Sequence, residues 1–122
     1  MKRSTAIRIA ALVGFLAVLL GAFGAHGLES VLQRNNRVDT WHTAVLYHIV
    51  HAVVLLVLAY RGSVRSGPFV AFLGGVIIFS GSLYILSITN LRWLGAITPV
   101  GGLSFLVGWA WLVAVPEAKD TE

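Results

Sequence analysis

The sequence predicts a single membrane domain of residues 1–122, an all-α bundle of four transmembrane helices. Of the 122 residues, 57% are hydrophobic and only 11% are charged, whereas soluble proteins carry about 25% charged residues. Four separate apolar stretches reach the roughly 20 residues that a helix needs to cross a hydrocarbon core of about 30 Å. The chain contains no cysteine, which excludes a disulfide framework, a thiolate metal site and a thiol nucleophile.

The four predicted spans are residues 7–25, 40–60, 68–89 and 94–115. The first span follows Lys2, Arg3 and Arg8 and in this respect resembles a signal peptide. Its apolar run is longer than the roughly 7–15 residues of a signal, so we expect a retained helix. The loop of residues 26–39 has the pattern of a short amphipathic surface helix, and the polar tail of residues 116–122 is expected to be disordered.

Basic residues indicate how the bundle is oriented. Across four spans they divide into Lys2, Arg3, Arg8, Arg61, Arg65 and Lys119 on one side and Arg34, Arg37 and Arg92 on the other. Because cytoplasmic loops carry the excess of Lys and Arg, we expect both termini in the cytoplasm and a multi-pass protein of the cell inner (plasma) membrane. The net charge of +4 forms no basic patch, so no nucleic-acid partner is expected.

Pro99 leaves two alternatives for the fourth span. Proline lacks an N–H and clashes inside a helix, but it suits the first helical position. In the favoured alternative the helix starts at Pro99 with Thr98 as its N-cap, and the segment LRWLGAI (residues 91–97) enters the membrane as non-helical backbone shielded by protein. In the other, one continuous helix is kinked at Pro99.

Small residues predict how the helices pack. Lipid removes the ordinary hydrophobic attraction between helices, so association depends on small residues that let backbones approach. Two stripes at intervals of three and four residues supply the predicted packing positions, which are Gly14, Ala17, Gly21 and Gly24 in the first span and Gly101, Ser104 and Gly108 in the fourth. This spacing favours left-handed crossings of about 20°.

Two histidines lie on one face of the second span. The stripe has intervals of three and four residues and consists of Trp41, Ala44, His48, His51 and Leu55. At 1.5 Å per residue from Thr40, His48 lies about 12 Å deep and His51 about 16 Å deep. An unpaired imidazole at that depth costs a few kcal/mol, so the stripe must face the bundle and find partners. The candidate partners are His26, Tyr47, Ser80, Ser82, Tyr84 and Thr98.

Three interpretations of this cluster are open, in order of preference. In the first, the histidines are interhelical hydrogen-bonding groups. In the second, His26, His48 and His51, with Tyr47 and Tyr84, bind a metal, a haem or a lipid-like small molecule whose identity the sequence does not give. In the third, they line a proton or solute path.

A hydrolase is not expected, and no catalytic residue is assigned. Ser80 and Ser82 lack a G-x-S-x-G context, and no carboxylate is placed within a span to orient a histidine.

Four motifs carry a resemblance to a known family. They are GAFGAHGLE (residues 21–29), WHTAVLYHIVHAVVLL (41–56), FSGSLYILSITNLRWLGAITPVGG (79–102) and LVGWAWL (106–112). Together they resemble the YgdD-like family, the membrane domain of unknown function 423, with eukaryotic relatives called transmembrane protein 256. The resemblance implies a small four-span inner-membrane protein and no particular activity. It also implies that His26, Trp41, Tyr47 and His51 belong to the family's pattern. That pattern accepts Gln at the position of His48, which makes His26 with His51 the better functional pair.

The sequence therefore predicts a small integral membrane protein that acts as an accessory or assembly component of a membrane complex and is not an enzyme. The alternative is binding of a metal, haem or lipid-like molecule by the histidine cluster, and transport of protons or a solute comes third. The expected partners are the lipid bilayer and other membrane proteins or further copies of the chain.

Overall fold

The computed structural model describes residues 1–61 and 64–116, and this part of the chain consists of helices joined by short connections, without strands. In order, the elements are α1 (Arg3–Ala25), α2 (Glu29–Arg34), α3 (Val38–Tyr60), α4 (Ser66–Gly75), a π-helix (Val76–Ser80), α5 (Gly81–Thr89), a 3₁₀ helix (Arg92–Ala96) and α6 (Thr98–Ala114). The predicted disorder of the tail and the position of Lys119 concern residues 117–122, which lie outside the described residues.

Within residues 1–61 and 64–116, four helical segments are long and apolar enough to cross a membrane. They are Arg3–Ala25, Val38–Tyr60, Ser66–Thr89 and Arg92–Ala114. The prediction of an all-α protein with four spans is confirmed. Each segment starts two to four residues before the apolar run that predicts it, because helices extend into the polar residues that flank a hydrophobic core.

The first span packs along the second, α1 against α3. Its small residues let the larger α3 side chains approach: Gly21 lies against Val45, and a Cβ on Gly24 would collide with the Trp41 indole. That indole is 1% exposed and donates a hydrogen bond to the Leu20 carbonyl oxygen at 2.9 Å. Gly24 therefore makes room for a side chain that ties the two helices together.

The third span contains the π-helix between α4 and α5, which no feature of the sequence predicts. α6 packs mainly on α4 and on this π-helix, not along α3. A Cβ on Gly101 would collide with the backbone of Phe79, and one on Gly108 would meet the Phe72 ring. The Ser104 hydroxyl donates to the Ala71 carbonyl oxygen at 2.6 Å. Small residues of α6 thus sit at its contact with the third span.

The fourth span resolves the alternatives at Pro99 in favour of a helix start. α6 begins at Thr98 with Pro99 in its first turn, where the missing N–H leaves no bond unmade. Two details differ from the expectation. The Thr98 hydroxyl donates to the Leu94 carbonyl oxygen at 3.2 Å instead of capping the helix, and the approach is a 3₁₀ helix over Arg92–Ala96 instead of irregular backbone.

The connection between α1 and α3 contains the short helix α2, as its amphipathic pattern indicates. Leu32 is buried beneath it. Asn35 then donates through Nδ2 to the Ser87 and Ile88 carbonyl oxygens, both at 3.0 Å, and Arg37 donates to Asn90 Oδ1 at 3.1 Å. The two Asn35 bonds satisfy backbone carbonyls that the end of α5 leaves without helical partners, and together with the Arg37 bond they fix the end of α2 to the third span.

Candidate functional site

The stripe of α3 that carries the histidines faces the interior of the bundle. His48 and His51 are 5% and 4% exposed, and the other members are Trp41, Ala44 and Leu55, none more than 1% exposed. The helical period that defines the stripe in the sequence therefore identifies the buried face of α3. His48 and His51 point to neighbouring but different seams of the bundle.

His48 connects three segments of the chain. Its Nε2 lies 2.9 Å from the Val13 carbonyl oxygen of α1, and its Nδ1 lies 2.8 Å from the Tyr84 hydroxyl oxygen of α5. A carbonyl oxygen only accepts, so Nε2 carries the proton, and the bare Nδ1 accepts the hydrogen bond that Tyr84 donates. Both nitrogens are thereby paired in the neutral form of the ring.

His51 has the opposite tautomer. Its Nδ1 lies 2.7 Å from the Tyr47 carbonyl oxygen one turn earlier, so Nδ1–H donates. Its Nε2 accepts a hydrogen bond from the Trp109 indole N–H of α6 at 3.1 Å. The imidazole also stacks on Phe105, with ring centroids 3.8 Å apart and planes 15° apart. His51 is thus paired on both nitrogens and links α3 to α6.

The predicted set of three metal ligands is not brought together. His26 is exposed at the end of α1, and among residues 1–61 and 64–116 no group of three His, Cys, Asp or Glu side chains could hold a metal ion. A metal or haem iron needs a ring nitrogen with a free lone pair. In His48 and His51 that lone pair already accepts a hydrogen bond, so this geometry does not favour a metal at either ring.

The remaining predicted partners pair with one another or with backbone. The Ser80 hydroxyl donates to the Ala44 carbonyl oxygen at 2.8 Å, and Ser82 and Thr98 share a hydrogen bond of 2.7 Å. Of the predicted partners, Tyr84 reaches His48 through its hydroxyl, while Tyr47 reaches His51 through its backbone. Two partners of the histidines, the Trp109 indole and the Val13 carbonyl oxygen, were not predicted from the sequence.

Residues of α3, the π-helix and α6 line a groove, which we call the aromatic groove. Its volume is about 700 Å³ and its lining is almost wholly apolar. The side chains and backbone that shape it include Tyr47, His51, Phe79, Gly102, Phe105 and Trp109. Tyr47 packs against Phe79 with centroids 4.7 Å apart, and its side chain remains 42% exposed. The groove brings Tyr47 and His51 together, apart from Tyr84 and His26.

Four apolar spans packed through small residues, with a buried pair of hydrogen-bonded histidines, define a small multi-span membrane protein. The chain belongs to the family described as "Protein of unknown function (DUF423)", which matches residues 20–102. The resemblance carried by the four motifs is therefore confirmed.

Relatives from distant organisms match most of the chain. The UPF0382 membrane protein YwdK of Bacillus subtilis is 46% identical over 114 residues, which cover 88% of this chain and 91% of the relative. The UPF0382 inner membrane protein YgdD of Escherichia coli is 42% identical over 110 residues, 83% of this chain and 80% of the relative. A UPF0382 membrane protein of Schizosaccharomyces pombe is 37% identical over 111 residues, with 84% and 92% covered. No solved structure matches the chain at a significant level.

Proposed function

We propose that this protein is a non-enzymatic accessory or assembly component of a membrane complex. The observation that carries the proposal is the hydrogen bonding of His48 and His51, whose four ring nitrogens are all paired within the chain. A general base or a proton relay needs a nitrogen that can exchange protons with a substrate or with water. Paired rings instead hold helices in place, which is the role of a structural component.

The placement of carboxylates supports the same proposal. Within the described residues the two acidic side chains are Glu29, in α2, and Asp39, in the first turn of α3. Neither lies at the depth of the histidines, where a carboxylate would orient an imidazole for acid or base catalysis or would carry a proton through the membrane. The polar groups at mid-depth are hydroxyls, imidazoles and backbone.

The terminal spans supply the surface for a partner. α1 packs along α3, α6 packs on the third span, and both leave most of their apolar surface outside the bundle. On α1 the outward side chains include Leu12, Phe15 and Val18, which are 57%, 64% and 68% exposed. In the bilayer such a face contacts either lipid chains or a helix of another protein. We infer that a helix of another membrane protein packs against α1.

Site-specific photo-crosslinking in native membranes tests this proposal. A photoreactive phenylalanine analogue replaces Phe15 on the outward face of α1, and the matched control carries it at Phe69, which is fully buried. The expected result is one discrete adduct with a different membrane protein from Phe15, recovered in reciprocal crosslinking from that protein, and none from Phe69. The same analogue is also placed at Val18. Adducts with lipid alone, both from position 15 and from position 18, would contradict an accessory role.

Membrane identity and orientation are part of the proposal. We infer an inner-membrane location with both termini in the cytoplasm, from the excess of Lys and Arg on the side of the termini and from the printed name of the Escherichia coli relative. Since the chain has no cysteine, Ser4→Cys and Gln33→Cys each give a unique label. A membrane-impermeant thiol reagent added to intact cells should label position 33 and not position 4; the reverse pattern would overturn the orientation.

A further inference from the structure

Tyr47 lines the apolar aromatic groove, and its hydroxyl has no partner among the described residues. Within residues 1–61 and 64–116 its ring packs on Phe79 and Phe105, and its backbone carbonyl accepts from His51, but its hydroxyl makes no hydrogen bond. In water an exposed phenol needs no partner. In hydrocarbon, an unpaired hydroxyl costs a few kcal/mol, so this group points to an occupant that accepts a hydrogen bond.

The depth of Tyr47 limits what that occupant can be. Ile49 is the midpoint of Val38–Tyr60, and Tyr47 and His51 lie two residues to either side of it, about 3 Å along the helix axis. The helix length of about 34 Å matches the roughly 30 Å hydrocarbon core, so both residues lie close to the bilayer centre. Phospholipid headgroups and ester carbonyls stay at the interfaces, where water solvates them, so the acceptor belongs to a neutral, lipid-soluble molecule.

The walls of the groove indicate the shape of that molecule. Rings of Tyr47, Phe79 and Phe105 contribute to the lining, with centroids 4.7 to 6.1 Å apart. Gly102 adds backbone without a side chain next to Phe79, and Leu103 and Leu106, also in the lining, are 61% and 65% exposed. A flat ring stacks favourably on aromatic side chains, and the volume of about 700 Å³ is within the usual range for a small-molecule site of about 300–1,000 Å³.

We propose that the aromatic groove binds a lipid-soluble quinone, a neutral ring with two carbonyl oxygens and an apolar tail. One carbonyl oxygen accepts a hydrogen bond from the Tyr47 hydroxyl, the ring packs against the aromatic wall, and the tail follows Leu103 and Leu106 into the bilayer. His51 accepts a hydrogen bond from the Trp109 indole at 3.1 Å and so positions this part of the lining. Binding at this groove does not depend on a partner at α1.

Fluorescence quenching measures this binding. Purified full-length protein in phosphatidylcholine nanodiscs is titrated with a benzoquinone carrying a ten-carbon alkyl tail, which quenches tryptophan on contact. The expected result is a saturable component that disappears in Trp109→Phe, since Trp41, Trp93 and Trp111 do not line the groove. Tyr47→Phe should weaken the apparent Kd about two- to tenfold, the usual effect of one neutral hydrogen bond. Tyr60→Phe is the matched control and should bind as the wild type does.

A groove-filling variant separates the site from general partitioning into the bilayer. Gly102 lines the groove, and a Cβ there would meet Phe79 at 3.8 Å, which is ordinary contact, so we expect the side chain of Gly102→Leu to extend into the groove. Saturable quenching should be lost in this variant. Quenching that rises linearly and equally in wild type and Gly102→Leu would overturn the proposal. So would equal competition by decane, which would assign the groove to lipid chains, or an unchanged Kd in Tyr47→Phe.

Discussion

His48 and His51 differ by three positions on one helix face, yet their surroundings differ in kind. His48 lies in a closed seam, bonded to α1 through Val13 and to α5 through Tyr84. His51 lies beside an open seam, bonded to its own helix through Tyr47 and to α6 through Trp109, which is 42% exposed. Burial alone therefore does not define the role of a membrane histidine. The role depends on which helices its two ring nitrogens join.

The largest expected difference between the two seams comes from adding bulk. Gly24→Leu forces a side chain into the Trp41 indole, and overpacking together with the lost indole hydrogen bond should lower the free energy of unfolding by about 2–4 kcal/mol. Gly102→Leu extends into the groove and should change the free energy of unfolding by less than about 1 kcal/mol, since leucine has a higher helix propensity than glycine. Reversible unfolding in mixed detergent micelles measures both. Equal losses would remove the distinction between a closed and an open seam.

A smaller difference is expected when each histidine is replaced by leucine. His48→Leu removes two hydrogen bonds between helices and leaves the buried Tyr84 hydroxyl without a partner. The free energy of unfolding should therefore fall by about 1–3 kcal/mol. His51→Leu removes one such bond and should cost less than about 1 kcal/mol. A double-mutant cycle of His48→Leu with Tyr84→Phe should show positive coupling of at least about 0.5 kcal/mol. Additivity in that cycle would show that the two side chains do not interact.

The smallest effect is spectroscopic. The carbonyl partners require a proton on Nε2 of His48 and on Nδ1 of His51, so ¹⁵N NMR of imidazole-labelled protein should show two different neutral tautomers. Trp109→Phe should shift the Nε2 resonance of His51 and leave that of His48 in place, at a cost in stability of about 0.6 kcal/mol. Two identical tautomers, or shifts in both rings, would contradict the hydrogen-bond assignment.

The spans and the buried stripe could be predicted because each follows from a periodic property of the side chains. Apolar length predicts the four crossings, and intervals of three and four residues place Trp41, His48 and His51 on the inward face. The helix start near Pro99 follows from the missing N–H of proline. These features depend on properties of neighbouring residues, which can be read from the sequence.

Two of the four groups that pair with the ring nitrogens of His48 and His51 could not be predicted, for physical reasons. The Val13 acceptor is a backbone carbonyl, and every residue has one, so no side-chain pattern distinguishes it. Trp109 lies in α6 next to Gly108 of the small-residue stripe, and that stripe predicts the packing of backbones without identifying an indole N–H as a donor. The aromatic groove depends on the angle at which α6 leaves α3, and that angle is a property of the assembled bundle.

The π-helix over Val76–Ser80 gives the third span one point at which a residue can be removed without turning the rest of the span. A π-turn completes the rotation of an α-turn with about one residue more. Removing Ile77, an outward side chain that is 64% exposed, would let the segment rewind as α-helix while Tyr84 keeps facing His48. The same one-codon deletion within a continuous α-helix would turn the residues after it by about 100° and would separate such a pair.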